Sequence, residues 1–375
     1  MNFLRRMGRN ILVLAMLLLP FSSSWGQEEG CSTPNGSSTP VPTPDTLKAV
    51  AIYACTTFTF PSLRKLPTWA HSIWDSGVQL SVPRFFKDNS LGKYMISARA
   101  FGRTSDTCWT ATGHVPNPFA GGGPEVDPEG VPFFKNIMAQ ADDSINFSDF
   151  DSDQDDTVDA CFFIVVNHGG NPGANTGAFL GFSPEWEYRS KDTNSTGDTV
   201  IVAPNRAVLV RSNDQNLAVS ISVHEWGHAL GAGHYYGSQG TPDWGLGAFT
   251  AMGLPQGYPG DNRPVPFDPI HRVNFKWVVP ETVKTPLYQQ VISDYLTTGK
   301  VYLLRYTTDQ YFYVTNYRGV DPLLNPNSYW QENYAGFGPL IWHVGGPKGI
   351  DVELAHGLWN MSPSDSCKSG PGRTP

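Results

Sequence analysis

The stretch that most constrains this chain is the run His224-Glu225-Trp226-Gly227-His228-Ala229-Leu230-Gly231-Ala232-Gly233-His234. Residues four apart on an α-helix share a face, one turn from each other, so the spacing of His224 and His228 predicts a helix here. On that helix two imidazoles reach one Zn²⁺ at about 2.0–2.1 Å. Glu225 then lies beside the first of them, placed to hold a water instead of ligating the ion. Gly231 predicts the end of the helix, because glycine accepts the left-handed backbone that turns a chain sharply. The turn would bring His234 to the same ion as a third ligand. Three protein ligands leave one position open, which is the pattern of a catalytic zinc site; a structural site is closed, usually by cysteines, and the chain has no Cys-x-x-Cys pair. Three His, one Glu and one Gly at these offsets arise by chance about 10⁻⁵ times per chain of this composition.

The residues around the run predict how it is held. Leu217 to Val223 are largely apolar and would bury the helix beneath a cleft, with Asn213 or Asp214 capping its start. Upstream, the pattern alternates between strand and helix. Strands are predicted at 49–57, 94–101, 160–166, 199–202 and 207–210, and helices near 69–74, 83–88 and 132–141. Beyond Pro280 the chain turns β-rich, with VYLLRYT, QYFYVTNYRG and PLIWHVGG as its best strands. The expected fold is α+β: a catalytic domain over 47–280, built on a mixed twisted sheet and the motif helix, and a β-rich part over 281–361. A polar tail follows at 362–375.

Location is read from the first 26 residues. Arg5, Arg6 and Arg9 precede a short apolar core, Ile11 to Leu19, and Ser24-Trp25-Gly26 offers small residues where a signal peptidase reads. The core is about half of the ~20 residues a spanning helix needs. The expectation is export, cleavage near Gly26, and a secreted chain that opens on a Ser/Thr/Pro-rich leader over 27–46. Export permits disulfides, yet Cys31, Cys55, Cys108, Cys161 and Cys367 are odd in number, and Cys55 and Cys161 sit in apolar runs that suit simple buried thiols. A formal charge of -8 argues against nucleic acid as a partner, since phosphate binding needs a basic surface. Nothing in the pattern demands an oligomer, and a monomer is expected.

A second constellation is Asp151-Ser152-Asp153-Gln154-Asp155-Asp156-Thr157-Val158-Asp159. Oxygens at alternate positions can converge on one hard cation, so Asp151, Asp153, Asp155, Thr157 and Asp159 are candidate Ca²⁺ ligands, with Asp149 nearby. The turn position usually held by Gly is Asp156, and no Glu stands at the twelfth position. A solvated acidic loop is the alternative.

The segment HEWGHALGAGH fits the metzincin consensus, and its surroundings resemble the immune-inhibitor-A-like family of secreted bacterial metallopeptidases. The likeness is carried by VPRFFKDNSLGKYMISARAFG, INFSDFDSDQDDTVDACFFIVVNHGG, GAFTAMGLPQGYPG, FKWVVPETV and GPLIWHVGG, together spanning roughly residues 48–358. This resemblance implies that Met252, eighteen positions after His234, is a Met-turn residue forming an apolar floor under the ligands. It also offers Tyr258 as a hydrogen-bond donor to a developing oxyanion. Many members of the family carry an acidic residue where this chain has His234. Cys31 is a weak candidate for a latency switch. The implied activity is zinc-dependent hydrolysis of peptide bonds in protein substrates, with Glu225 as general base. A non-catalytic binding or adhesion module on the same scaffold is the alternative from another class.

Overall fold

The computed structural model describes residues 46–56, 64–111, 130–166, 176–182, 184–233, 250–253, 262–288, 290–317, 338–345 and 350–354. The signal segment, nearly all of the leader, Cys31, Cys367, His234, Tyr258 and the tail lie outside the described residues. Internal contacts divide the described chain into two units, 46–233 with 262–265, and 250–253 with 266–354. Both mix β-sheet with a few helices, and the class is α+β with a twisted mixed sheet.

The first unit is organised by β1 (Thr46–Thr56) and β4 (Ala160–Val165), whose AVAIYAC and ACFFIV runs are buried on both faces. Continuous apolar strands of this kind suit a parallel sheet covered on both sides. β1 pairs in parallel with β4 on one side; on the other it pairs with β2 (Met95–Phe101) and then with the short β3 (Trp109–Ala111). β4 pairs in parallel with β8 (Ala207–Arg211), and the antiparallel β5 (Thr176–Phe179) closes the order β2-β1-β4-β8-β5. Parallel neighbours need crossovers. α1 (Val82–Asn89) lies in the connection from β1 to β2, and α2 (Gly130–Ala141) in that from β3 to β4. Ser81 caps α1 by accepting the Arg84 N–H at 3.3 Å, and Pro83 stands in its first turn.

Adjacent residues of β4 serve opposite layers. Phe163 meets Phe133 and Phe134 of α2 at centroid distances of 6.3 and 5.0 Å. Phe162 faces the other way, against Trp74 at 4.8 Å and Trp226 at 5.3 Å. Trp226 belongs to α3 (Gln215–Ala229), which packs on β5, β8 and α1. A separate two-stranded ribbon pairs β6 (Tyr188–Thr193) with β7 (Thr199–Val202).

Two expectations are corrected here. The helix expected at 69–74 is only a 3₁₀ turn, Ser72–Trp74. The Tyr53 hydroxyl donates to the Ala70 carbonyl at 2.6 Å, taking the acceptor that an α-helix would offer to Trp74, and the Trp74 N–H bonds to His71 O instead. Cys55 is no simple thiol, since it is cross-linked to Cys108, with Cα atoms 5.8 Å apart. Cys161 is the buried free thiol of the described residues, its pKa pushed up to about 12 by burial.

In the second unit the sheet runs β13-β12-β11-β10-β9. Its strands are β9 (Glu281–Thr282), β10 (Tyr302–Arg305), β11 (Tyr311–Tyr317), β12 (Gly338–Val344) and β13 (Ile350–Leu354). All neighbours are antiparallel except β9 and β10. Trp342 is fully buried among Leu303, Tyr313 and Val352, and its indole N–H donates to Thr315 at 3.0 Å. α4 (Pro269–Asn274) is capped by Asp268, whose Oδ1 accepts the Ile270 and His271 N–H groups at 2.9 and 3.0 Å. Its Oδ2 receives Thr250 Oγ1 and pairs with His271 Nδ1, both at 2.5 Å. Thr250 Oγ1 accepts the Met252 N–H at 3.2 Å, so one carboxylate holds both the helix start and the turn containing the fully buried Met252. α5 (Tyr295–Thr298) ends at Gly299 in the left-handed region, and its Tyr295 and Leu296 carbonyls accept from the buried Arg272 guanidinium at 3.0 and 3.4 Å.

Burial alone would raise the Asp268 pKa, but the charge on His271 and the bonds from His271 and Thr250 outweigh it and hold the carboxyl below the usual carboxylate range. A carboxyl that titrates lower when folded gives the folded state stability above its unfolded pKa of about 3.9, and that stability is lost as pH falls through the folded value. Asp268→Asn should therefore lower the melting temperature at neutral pH and flatten the acid limb of the stability curve. Melting curves running parallel to wild type from about pH 7 to pH 3 would contradict this linkage.

Candidate metal centre

α3 is an unusual helix in being buried on nearly every side, with Leu217 to Ala229 all inside. Its start is fixed by Asp214, which accepts the Leu217 N–H at 2.8 Å, deciding between the two expected caps. Trp226 points nearly opposite to His224 and His228, since two residues along a helix turn the direction by about 200°. Its indole N–H donates to the Tyr94 hydroxyl at 2.8 Å, which anchors the back of the helix in the core.

On the front, His224 Nε2 and His228 Nε2 lie 3.3 Å apart, with rings nearly perpendicular at 84°. Two ligands of one tetrahedral ion, each at about 2.0–2.1 Å, would be about 3.3–3.4 Å apart. The separation of the two nitrogens therefore matches that of two ligands on one zinc ion. His228 Nδ1 lies 2.8 Å from the Ala232 carbonyl. A carbonyl can only accept, so Nδ1 carries the proton and Nε2 presents its lone pair toward His224, the orientation a metal ligand requires. The Glu225 carboxylate is within 4.8 Å of both imidazoles.

The turn that supplies Ala232 also ends the helix. Gly231 has φ 88°, its N–H bonds to His228 O at 2.9 Å, and the Ala232 N–H bonds to Gly227 O at 2.9 Å. That pair of bonds is a Schellman motif, and it bears out the left-handed role expected of Gly231. One reversal thus both satisfies the carbonyls left over at the helix end and sets the His228 tautomer.

Glu225 is buried, and this desolvation pushes its pKa up to about 8 against the opposing hydrogen bond from the Phe179 N–H. A dication held by the adjacent imidazoles would act in the other direction and favour the carboxylate. Phe179 belongs to β5, one of the short strands, with β3, β6, β9 and β13, that the sequence reading missed. β5 comes close because Gly177 has no side chain, so Ile221 and Glu225 occupy the space a Cβ would take. The signal was only a glycine in a four-residue strand.

The acidic loop behaves differently from the five-ligand expectation. Carboxylates of Asp151, Asp153 and Asp159 converge within 4.8 Å of one another. Asp155 does not join them: Arg206 grips it in a two-pronged pair at 2.6 and 3.2 Å. Thr157 turns its hydroxyl toward Asp155 O at 3.5 Å, and Asp149 pairs with Arg99 at 3.1 Å. Gln154 and Asp156 are left-handed, with φ of 62° and 67°, so Asp156 takes the backbone shape expected of Gly. Desolvation raises the pKa of Asp151, against hydrogen bonds from the Asp155 and Asp156 amides, and partial desolvation with the Asp155 charge raises that of Asp153. Asp159 ties the loop to β1, accepting Lys48 N at 2.8 Å and Ser152 N at 3.0 Å.

Among the remaining expected residues, Met252 is buried in the turn of the second unit. His271 is committed to Asp268, and His343 stacks on Phe312 at 4.5 Å. No protein-family model matches the chain, and no curated protein sequence matches it.

Gly231→Ala forces a side chain into the left-handed region, which costs about 1–2 kcal/mol. We expect that loss of unfolding free energy in urea together with weaker zinc binding, because the Ala232 carbonyl leaves His228. Wild-type zinc affinity in the variant would show that the turn does not orient the imidazole.

Proposed function

We propose that this chain is a secreted zinc-dependent endopeptidase of the metzincin type, resembling the immune-inhibitor-A-like family in the segments quoted above. The observation that carries the reading is the pair of imidazole nitrogens at 3.3 Å, one of them with its tautomer locked, beside a buried carboxylate. In this reading His224, His228 and His234 hold the ion, which when bound supplies a Lewis acid that polarises the scissile carbonyl and acidifies water. Glu225 accepts the proton of the attacking water and passes it to the leaving amine. Its carboxylate is held for that work by the Phe179 N–H and by the absence of a side chain at Gly177.

Peptide as the substrate class is supported by the likeness of the HEWGHALGAGH run to the zinc motif of peptidases. The Cys55–Cys108 cross-link supports an oxidising compartment. No helix among the described residues is long and apolar enough to cross a membrane.

The test is casein hydrolysis by the purified mature protein, with chelator and with zinc restored. Activity should vanish and return, and Glu225→Ala should abolish it while keeping one zinc per chain. Turnover in that variant comparable to wild type would remove Glu225 as the base, and zinc binding without any hydrolysis would favour the binding-module reading.

A structural Ca²⁺ completes the proposal, held by Asp151, Asp153 and Asp159 and neutralising carboxylates that lie within 4.8 Å of one another. Added calcium should raise the melting temperature of wild type but not of Asp153→Ser. An identical melting temperature across calcium concentrations would discard the site.

A further inference from the structure

We propose that β5 is the positioning element of the general base: Gly177 and the Phe179 amide together set where the Glu225 carboxylate rests. The proposal rests on the reading of Glu225 as base and adds residues that no motif contains.

The geometry is specific to this pair. An ideal Cβ at Gly177 overlaps Ile221 Cγ2 and lies 2.8 Å from Glu225 Oε1 and 2.9 Å from Glu225 Cγ. The backbone of Gly177 is outside the left-handed region, so an alanine there meets no conformational penalty of its own. The demand is for space, and the Glu225 side chain fills part of that space beside Ile221. Two residues along the strand, the Phe179 N–H donates to that carboxylate. Glu225 is therefore placed both by a donor and by a missing side chain. α3 cannot drift to compensate, because Trp226 is hydrogen-bonded to Tyr94 on its far side and packed on Phe162.

Glycine at 177 has two separable consequences. Contact with Ile221 governs how closely helix and strand pack; contact with Glu225 governs where the carboxylate sits. Gly177→Ala disturbs both, and Gly177→Ala combined with Ile221→Ala relieves only the first.

The experiment uses the full mature protein and reads three quantities in each variant: melting temperature, hydrogen exchange of the Phe179 amide in metal-free protein, and turnover with zinc restored. Gly177→Ala should lose about 100-fold in kcat, since a misplacement of this order costs that much, with zinc stoichiometry retained. Its Phe179 amide should exchange as fast as in Glu225→Ala, while amides of β4 stay protected. The double variant should regain melting temperature relative to Gly177→Ala but neither Phe179 protection nor kcat. Recovery of kcat in step with melting temperature would make Gly177 a packing residue only. Unchanged Phe179 exchange in Gly177→Ala would overturn the proposal whatever the activity. Absence of hydrolysis in wild type, with Phe179 exchange responding as expected, would instead refute the peptidase reading and leave the positioning of Glu225 intact.

Discussion

Three ionisable side chains lie on one turn of a helix that has almost no solvent-facing side, and burying such groups costs several kcal/mol each unless partners are already in place. The partners around His224, Glu225 and His228 come from separate parts of the first unit. Ala232 O answers His228 from the turn beyond the helix, and the Phe179 N–H answers Glu225 from the sheet edge. Each imidazole nitrogen faces the other across a gap of the size a tetrahedral ion fills. Much of the surrounding architecture follows from that requirement: the short antiparallel strand, the glycine that lets it approach, the left-handed stop, and the aromatic anchor behind. Take away any of these and a buried polar atom is left facing hydrocarbon.

The second unit uses the same principle for a different purpose. Asp268 is fully buried, yet four hydrogen bonds converge on it from Thr250, Ile270 and His271. A single carboxylate thereby fixes a helix start and a tight turn around a buried methionine. Arg272, next along α4, is likewise buried, with its guanidinium over the Tyr295 ring at 5.3 Å. Both units thus carry charged groups inside and hold them by convergence of main-chain and side-chain partners instead of by solvent.

What could be read ahead of the structure divides along physical lines. β4, β7 and β8 were visible because runs such as ACFFIV and TVIV are apolar or β-branched, and local composition decides them. The helix of the metal motif, its start at residues 213–214 and its Gly231 stop were visible for the same reason: each depends on neighbours within a turn. β5 was not, because Thr-Gly-Ala-Phe has little strand propensity and exists by virtue of β8 on one side and α3 beneath. The turn at 69–74 was misjudged because the decisive hydroxyl, on Tyr53, is 17 residues away. Counting carboxylates in the acidic loop likewise overlooked Arg206, which lies 51 residues beyond Asp155 and removes it from the cluster. Short-range rules find elements and candidate ligands; long-range partners decide which of those ligands meet.

The Cys55–Cys108 cross-link has a consequence beyond pinning β3 to the end of β1. Its two halves are 53 residues apart, and the segment between them contains α1 and β2. Tying the ends of such a loop removes conformations from the unfolded chain, an effect of about 4 kcal/mol for this length in the chain-entropy account. Whole domains are typically stable by only about 5–15 kcal/mol. A large share of the margin by which this fold persists is therefore lent by the oxidising power of its surroundings, so the same amino acids make a sturdier protein outside a reducing cytosol than within one.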